Sequence, residues 1–421
     1  MRLNRWIFCL SSTSLLGGLF VTVPTASAES PVVNALPTGR PTIVVSQRAK
    51  EIHATAPVID GHNDLPWALR EVGGLSDQYD IAKSQPGFHT DIPRLRTGGV
   101  GAQFWSVYVP VSTRRNGESL QMTLEQIRTV RQMIDRYDET FALALSTSDI
   151  QRIRGEGKIA SMIGIEGGHS IENSLNVLRQ LYLEGARYMT LTHSETLEWA
   201  DSCTGVPTHG GLAPFGEEVV AEMNRLGMMV DISHVSADCM RDVLRITNAP
   251  VIFSHSSAMA VADHPRNVPD DVLKQMPANG GVVMINFYNG FVHPQDAALS
   301  KKRYALLATL KAQFPADEEK VDSELKRWDL ANPNSKDCDV YHVLDHIEHV
   351  IRVAGIDHIG IGGDYDGIGA VPKQLEDVST YPVLTQALLD RGYSEADIRK
   401  FLGGNIMRVF EQVESAAEKL R

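Results

Sequence analysis

Cysteine is scarce in this chain, and its spacing argues against one class of metal site. Four cysteines occur in 421 residues, and no two of them form the C-x-x-C pair of a thiolate zinc site. H-E-x-x-H is missing as well. His342 and His346 have helical i, i+4 spacing without that motif, so a helix-borne zinc protease site is not the reading. Basic residues are in deficit, 40 Lys and Arg against 52 Asp and Glu, for a net charge of −12. With no basic stripe, nucleic acid is not expected as a partner. No segment recurs at a fixed period, which argues against a solenoid or propeller. Long apolar runs are also missing, with one exception at the start of the chain.

That exception reads as a secretory signal over residues 1–28. Arg2 and Arg5 precede a largely apolar stretch from Trp6 to Val23, and Ala26-Ser27-Ala28 offers a small-x-small cleavage site. Ser11, Ser12, Thr13, Ser14, Gly17 and Gly18 interrupt the stretch, which favours a removed signal over a membrane anchor. Export leaves Cys203, Cys239 and Cys338, an odd number that allows at most one internal bridge. The last residues, 416–421, are polar and lack the apolar tail of a lipid-anchor signal. The expectation is a periplasmic or extracellular protein that is not membrane-anchored once the signal is gone. Residues 29–45, with Pro31, Pro37 and Pro41, read as a flexible linker, and 46–421 as the working domain.

Within that domain, apolar β-rich runs alternate with helical periods. After Val58–Ile59 come Val100–Val109, Ile159–Ile165, Arg187–Leu191, Met228–Ile232, Val251–Phe253, Gly281–Phe287 and His358–Ile361. Helical spacing recurs at Leu120–Asp138, Ser174–Glu184, Gly216–Leu226, Ala237–Thr247 and Val340–Ala354. Alternation of this kind predicts a parallel sheet covered by helices, and eight strands predict a closed (β/α)8 TIM-type barrel with inserted βα loops and C-terminal helices. Residues 66–99 and 288–340 break the rhythm as long connections, the second of them charged. Ser394 reads as the N-cap of a late helix.

The polar residues fall where such a barrel puts chemistry. His62 and Asp64 follow the first strand and, two residues apart, share a face. Glu166, His193, His234, His255 and Asp364 each follow a further apolar strand. A single histidine after a strand is more often structural than a ligand. Seven ionisable groups at the same end of six strands are not explained that way. Strand C-termini converge on one face, and seven groups exceed the needs of one tetrahedral zinc. Two metals sharing a carboxylate would use five ligands, leaving a histidine and an aspartate for proton handling and oxyanion stabilisation.

These residues sit in motifs that resemble the renal (membrane) dipeptidase family of zinc metallopeptidases. The motifs include Val58-Ile59-Asp60-Gly61-His62-Asn63-Asp64, Ile165-Glu166-Gly167-Gly168-His169-Ser170, Asp231-Ile232-Ser233-His234, Phe253-Ser254-His255-Ser256, Arg266-Asn267-Val268-Pro269, Asn286-Phe287-Tyr288-Asn289 and Gly362-Gly363-Asp364-Tyr365-Asp366-Gly367, in family order. The resemblance implies one zinc on His62 and Asp64, a second on His234 and His255, and Glu166 as the bridge. It implies attack by a hydroxide between the metals, with Asp364 carrying the proton and holding the substrate amino group. His193 would steady the oxyanion. Arg266, helped by Tyr288, would take the terminal carboxylate of a dipeptide, D-residues included. A homodimer is compatible with this. A related activity on another amide, such as a β-lactam or N-acyl amino acid, is the alternative. A non-catalytic exported binder would leave Asp364 without a task.

Overall fold

The computed structural model describes residues 40–315 and 317–420. The signal read at 1–28, and the linker as far as residue 39, lie outside the described residues. Nine parallel strands form: β1 (Val58–Asn63), β2 (Val100–Tyr108), β3 (Phe141–Leu143), β4 (Ile159–Glu166), β5 (Ala186–Thr190), β6 (Met229–Asp231), β7 (Ile252–Phe253), β8 (Val282–Ile285) and β9 (Ile359–Ile361). β1 pairs with both β2 and β9, and β2 pairs with β4 from Ala102–Ala160 to Tyr108–Glu166. The ring therefore closes through eight strands. β3 stands outside it, against the lower half of β4, where it faces Ile159–Ser161. The expected (β/α)8 barrel is present, with β3 as an addition.

Helices cover the outer face of the wall and side chains fill the inner one, so the strands are buried on both sides. The barrel interior is filled by Ile59, Phe104, Met162, Tyr188, Met229 and Met284, and the same cluster includes Ile406, Val409, Phe410 and Val413 of the last helix, Asn405–Leu420. Gly164 matters here. A Cβ on it would lie 2.0 Å from the Tyr188 ring, so only glycine lets that ring cross the barrel.

The irregular part of the connection over 66–99 is shorter than expected, because the helix Leu65–Glu71 starts directly after Asp64, with Pro66 in its first turn, and Ile92–Thr97 is helical too. The stretch 288–340, read as a charged loop, is instead largely helical. It forms Asn289–Val292, Pro294–Gln313 and Glu318–Ala331. The last two pack Leu306, Leu307, Leu310 and Phe314 against Val321 and Leu325 as a small core of their own, and Arg303 grips Asp329 through two bonds, of 2.7 and 3.0 Å. Helical spacing is present, but it serves a partner helix rather than the barrel. Toward the C-terminus, Ser394 caps Glu395–Arg399 with a reciprocal Asp397 bond. No disulfide joins Cys203, Cys239 and Cys338. Among the described residues no helix is long and apolar enough to cross a membrane.

Candidate metal centre and active site

The strand ends bring all seven groups into one cup. His62 Nε2 lies 3.2 Å from Asp64 Oδ2, 3.6 Å from Glu166 Oε2 and 4.0 Å from Asp364 Oδ1. On the other side, Glu166 Oε1 is 3.1 Å from His234 Nε2, 3.4 Å from His255 Nε2 and 3.8 Å from His193 Nε2. The two oxygens of Glu166 thus divide the set, Oε2 toward the β1 pair and Oε1 toward the histidines after β5, β6 and β7. Ligand atoms on a tetrahedron with bonds of about 2.1 Å stand roughly 3.4 Å apart, which is the spacing found. Potential ligand atoms cluster within 4.8 Å as His62, Glu166 and His255, as Glu166, His193 and His234, and as His62, Asp64 and Asp364.

The hydrogen bonds behind the cup decide which nitrogens face it. Tyr188 donates to the Gly61 carbonyl (3.1 Å), so its oxygen accepts from His62 Nδ1 at 2.9 Å. Ser254 Oγ donates to Asp231 Oδ2 (2.6 Å) and accepts from His255 Nδ1 (2.7 Å). Both rings are then Nδ1–H tautomers with the Nε2 lone pair turned inward, an assignment that follows from the network. His234 Nε2 and His255 Nε2 face each other at 2.9 Å, and His62 Nε2 and Asp64 Oδ1 are buried without a hydrogen-bond partner. Inward ring nitrogens beside an orphaned carboxylate oxygen are what a cation would satisfy.

Electrostatics agree. Burial opposes ionisation of Glu166, but His62 and His193 outweigh it and hold the carboxyl well below its usual range. Burial, reinforced by Arg266 at His234 and by His62 at His255, keeps both well below ordinary imidazole values, so both rings are neutral. His62 goes the other way. Burial would lower it, yet Tyr188, Asp64 and Glu166 pull a proton onto it, the same negative field that would draw in a cation. Asp364 is pushed up to about 8, chiefly by burial, with His62 opposing and Asp64 and Glu166 adding to the rise.

The backbone is strained where the cup needs it. His234 and Asp364 have φ of 63° and 60°, a left-handed conformation that costs about 1–3 kcal/mol for a non-glycine residue. Asn286 Nδ2 donates to Asp364 Oδ2 at 2.6 Å and fixes that carboxyl. Gly367 lets the following turn pass close by, since a Cβ there would sit 2.2 Å from Asp64 Oδ2.

A cavity of about 730 Å³ opens over these groups, with Arg266 and Tyr288 in its wall. The Arg266 guanidinium is buried. It donates to Ser256 Oγ (3.1 Å) and to the His255 carbonyl (2.9 Å), and stands 5.1 Å from the Phe291 ring centre. Its Nε has no partner. The Tyr288 N–H is tied to Asn286 Oδ1 at 2.6 Å. His193 stacks near Tyr108 and His234, at 5.0 and 4.5 Å between ring centres. The remaining histidines serve the fold, as His53 does between Thr385 and the Gly98 carbonyl.

Sequence reasoning missed the supporting groups: Tyr188, Asp231 with Ser254, Asn286, and Ser106, whose hydroxyl reaches Glu166 Oε2 at 3.3 Å. It also missed Asp60, which accepts from the His62 and Gly363 N–H groups (3.1 and 3.0 Å) and from the Tyr381 hydroxyl (2.6 Å). The signal for Asp60, Asp231, Ser254 and Asn286 was their place inside the ligand-bearing motifs. The other wall of the cavity comes from Leu299, Tyr304 and Trp328 of the helical hairpin.

The profile of the family described as Membrane dipeptidase (Peptidase family M19) matches residues 46–421. Among solved structures, the probable dipeptidase PvdM from Pseudomonas aeruginosa is similar with a TM-score of 0.75 at 24% identity, covering 88% of this chain and 98% of that one. Dipeptidase AC, a metallopeptidase, gives 0.69 at 25% identity over 85% of this chain and 99% of that one. A metallopeptidase from Rhodobacter sphaeroides, liganded with a phosphinate mimic of the dipeptide L-Ala-D-Ala, gives 0.69 at 24% identity, with 85% and 99% covered.

Proposed function

Because the chain belongs to the membrane dipeptidase family, we propose that it is an exported dinuclear zinc dipeptidase that accepts dipeptides with either an L- or a D-residue at the C-terminus. The observation that carries the dinuclear reading is the division of labour at Glu166, whose Oε2 faces His62 at 3.6 Å while its Oε1 faces His234 at 3.1 Å and His255 at 3.4 Å. His62, Asp64 and Glu166 would hold one ion, and Glu166, His234 and His255 the other. When bound, the ions would polarise the scissile carbonyl and bring the pKa of the attacking water toward neutrality.

The protein's own groups do the rest. The unpaired Nε–H of Arg266, buried beside the ligand His255, would take the substrate carboxylate, and Tyr288 would close that end. A guanidinium suits a carboxylate because its donors match both oxygens. His193, on the opposite side of Glu166 from His62, would donate to the oxyanion as it develops. Asp364, fixed by Asn286, would receive the proton of the attacking water and return it to the leaving amine. Anchoring the carboxylate at one end and the amino group near Asp364 at the other would select substrates that carry both termini close together, as dipeptides do. The Rhodobacter neighbour's ligand, a mimic of L-Ala-D-Ala, supports the inclusion of C-terminal D-residues. Export rests on the signal read in residues 1–28.

The test is a panel of L-Xaa-L-Xaa and L-Xaa-D-Xaa dipeptides, with a β-lactam and an N-acyl amino acid alongside. Dipeptides of both series should be cleaved, activity should vanish with a chelator, and zinc should restore it. No free amino acid from any dipeptide in the presence of zinc would refute the reading, and turnover of the lactam or N-acyl compound alone would favour the related amidase.

A further inference from the structure

We infer that Trp67 and Glu71 form a side-chain subsite that selects a cationic residue at the amino end of the dipeptide. The inference rests on the dipeptidase reading and adds a substrate preference to it.

The helix Leu65–Glu71 starts at Asp64, one of the cup's own side chains. Trp67 and Glu71 are four residues apart, hence on one face of that helix, and both line the cavity. Arg70, the other charge of that helix, pairs with Glu125 at 2.8 Å, with its guanidinium 6.0 Å from the Trp67 ring centre. Glu71 has neither an ion pair nor a side-chain hydrogen bond among the described residues. The other outer-wall carboxylate, Asp329, is already neutralised by Arg303 at 2.7 Å. Glu71 is therefore an exposed carboxylate of that wall with no cation beside it, whereas Asp366, which also lines the cavity, is tied to the His89 N–H at 2.6 Å. The field of Glu71 reaches Tyr108, ranking after burial and the Glu166 and Asp64 carboxylates. Trp67 meets Tyr108 edge to face at 4.9 Å, which leaves an aromatic surface beside the carboxylate.

The position within the cavity gives the orientation. Arg266, which lies against Phe291, defines the carboxylate end. Trp67 and Glu71 stand on the helix that starts at Asp64, the side where the substrate amino end would be. An alkyl chain ending in an ammonium or guanidinium would lay its stem on the indole and its charge on Glu71.

The experiment compares Lys-Ala with norleucyl-Ala, which has a similar stem without the charge, in the native enzyme, Glu71→Gln and Glu71→Lys. The ratio of kcat/KM for the pair removes any general loss of activity or folding. In the native enzyme it should exceed one by about fivefold, the scale of a partly exposed ion pair, and shrink in high salt. It should fall to near one in Glu71→Gln and below one in Glu71→Lys. The pair Ala-Lys and Ala-norleucine should keep its ratio throughout. A Lys-Ala preference that is absent, or that both substitutions leave intact, overturns the subsite while the dipeptidase reading stands. An effect on Ala-Lys alone overturns the orientation. Failure of the native enzyme to cleave any dipeptide overturns both readings.

Discussion

Asp364→Asn should lower kcat by about 10²- to 10⁴-fold, the usual contribution of a positioned general acid–base group. The amide is nearly isosteric, and its oxygen can still accept from Asn286 Nδ2, which stands 2.6 Å from the present carboxyl. The left-handed backbone at 364, φ 60°, is one that Asn tolerates as well as Asp. Structure and metal content should therefore survive while proton transfer does not. KM should rise less than kcat falls, because the carboxylate anchor at Arg266 is untouched. Steady-state kinetics on one dipeptide, with metal content measured on the same sample, separates these effects. Unchanged kcat would assign the proton to another group.

Arg266→Ala should cost kcat/KM about 2–5 kcal/mol, the penalty when a buried charge loses its partner, which is a loss of roughly 30- to 5,000-fold. Arg266 is 1% exposed, so no water replaces the guanidinium cheaply. The loss should fall mainly on KM, since the carboxylate is bound in ground and transition states alike. A dipeptide amide, which has no terminal carboxylate, is the control: it should be a poor substrate for the native enzyme and lose little more in the variant. Arg266 also braces Ser256 Oγ and the His255 carbonyl, at 3.1 and 2.9 Å. Some kcat loss through His255 is therefore expected, and metal content reports it.

The ring of strands was legible because each buried strand is an apolar run that ends in a polar residue, and the barrel sends those ends to one face. Phe141–Leu143 was not, being three residues long and hidden before a helix. The hairpin of Pro294–Gln313 and Glu318–Ala331 was missed because its apolar residues divide between a small core of their own and the cavity wall, not the barrel. Many lysines, arginines and acidic residues on its outer faces dilute the helical period. All seven ionisable groups of the cup were legible from local sequence, as were Arg266 and Tyr288 in the cavity wall. Their support was not, because the contacts are made across the barrel. Tyr188 lies 126 residues from the His62 it orients, and Ser254 lies 23 residues from Asp231. Local pattern carries no information about which residue stands opposite. The absence of a disulfide among Cys203, Cys239 and Cys338 was undetermined for the same reason, since three cysteines alone do not say which of them approach.

The central claim is that one carboxylate joins two metal positions, and counting metal tests it most directly. After removal of metal and reconstitution with zinc, the native protein should bind two zinc ions per chain by elemental analysis. Glu166→Ala should bind one or none, because both positions lose a ligand, while Asp364→Asn should still bind two. A native stoichiometry of one, or two ions retained in Glu166→Ala, would contradict the account.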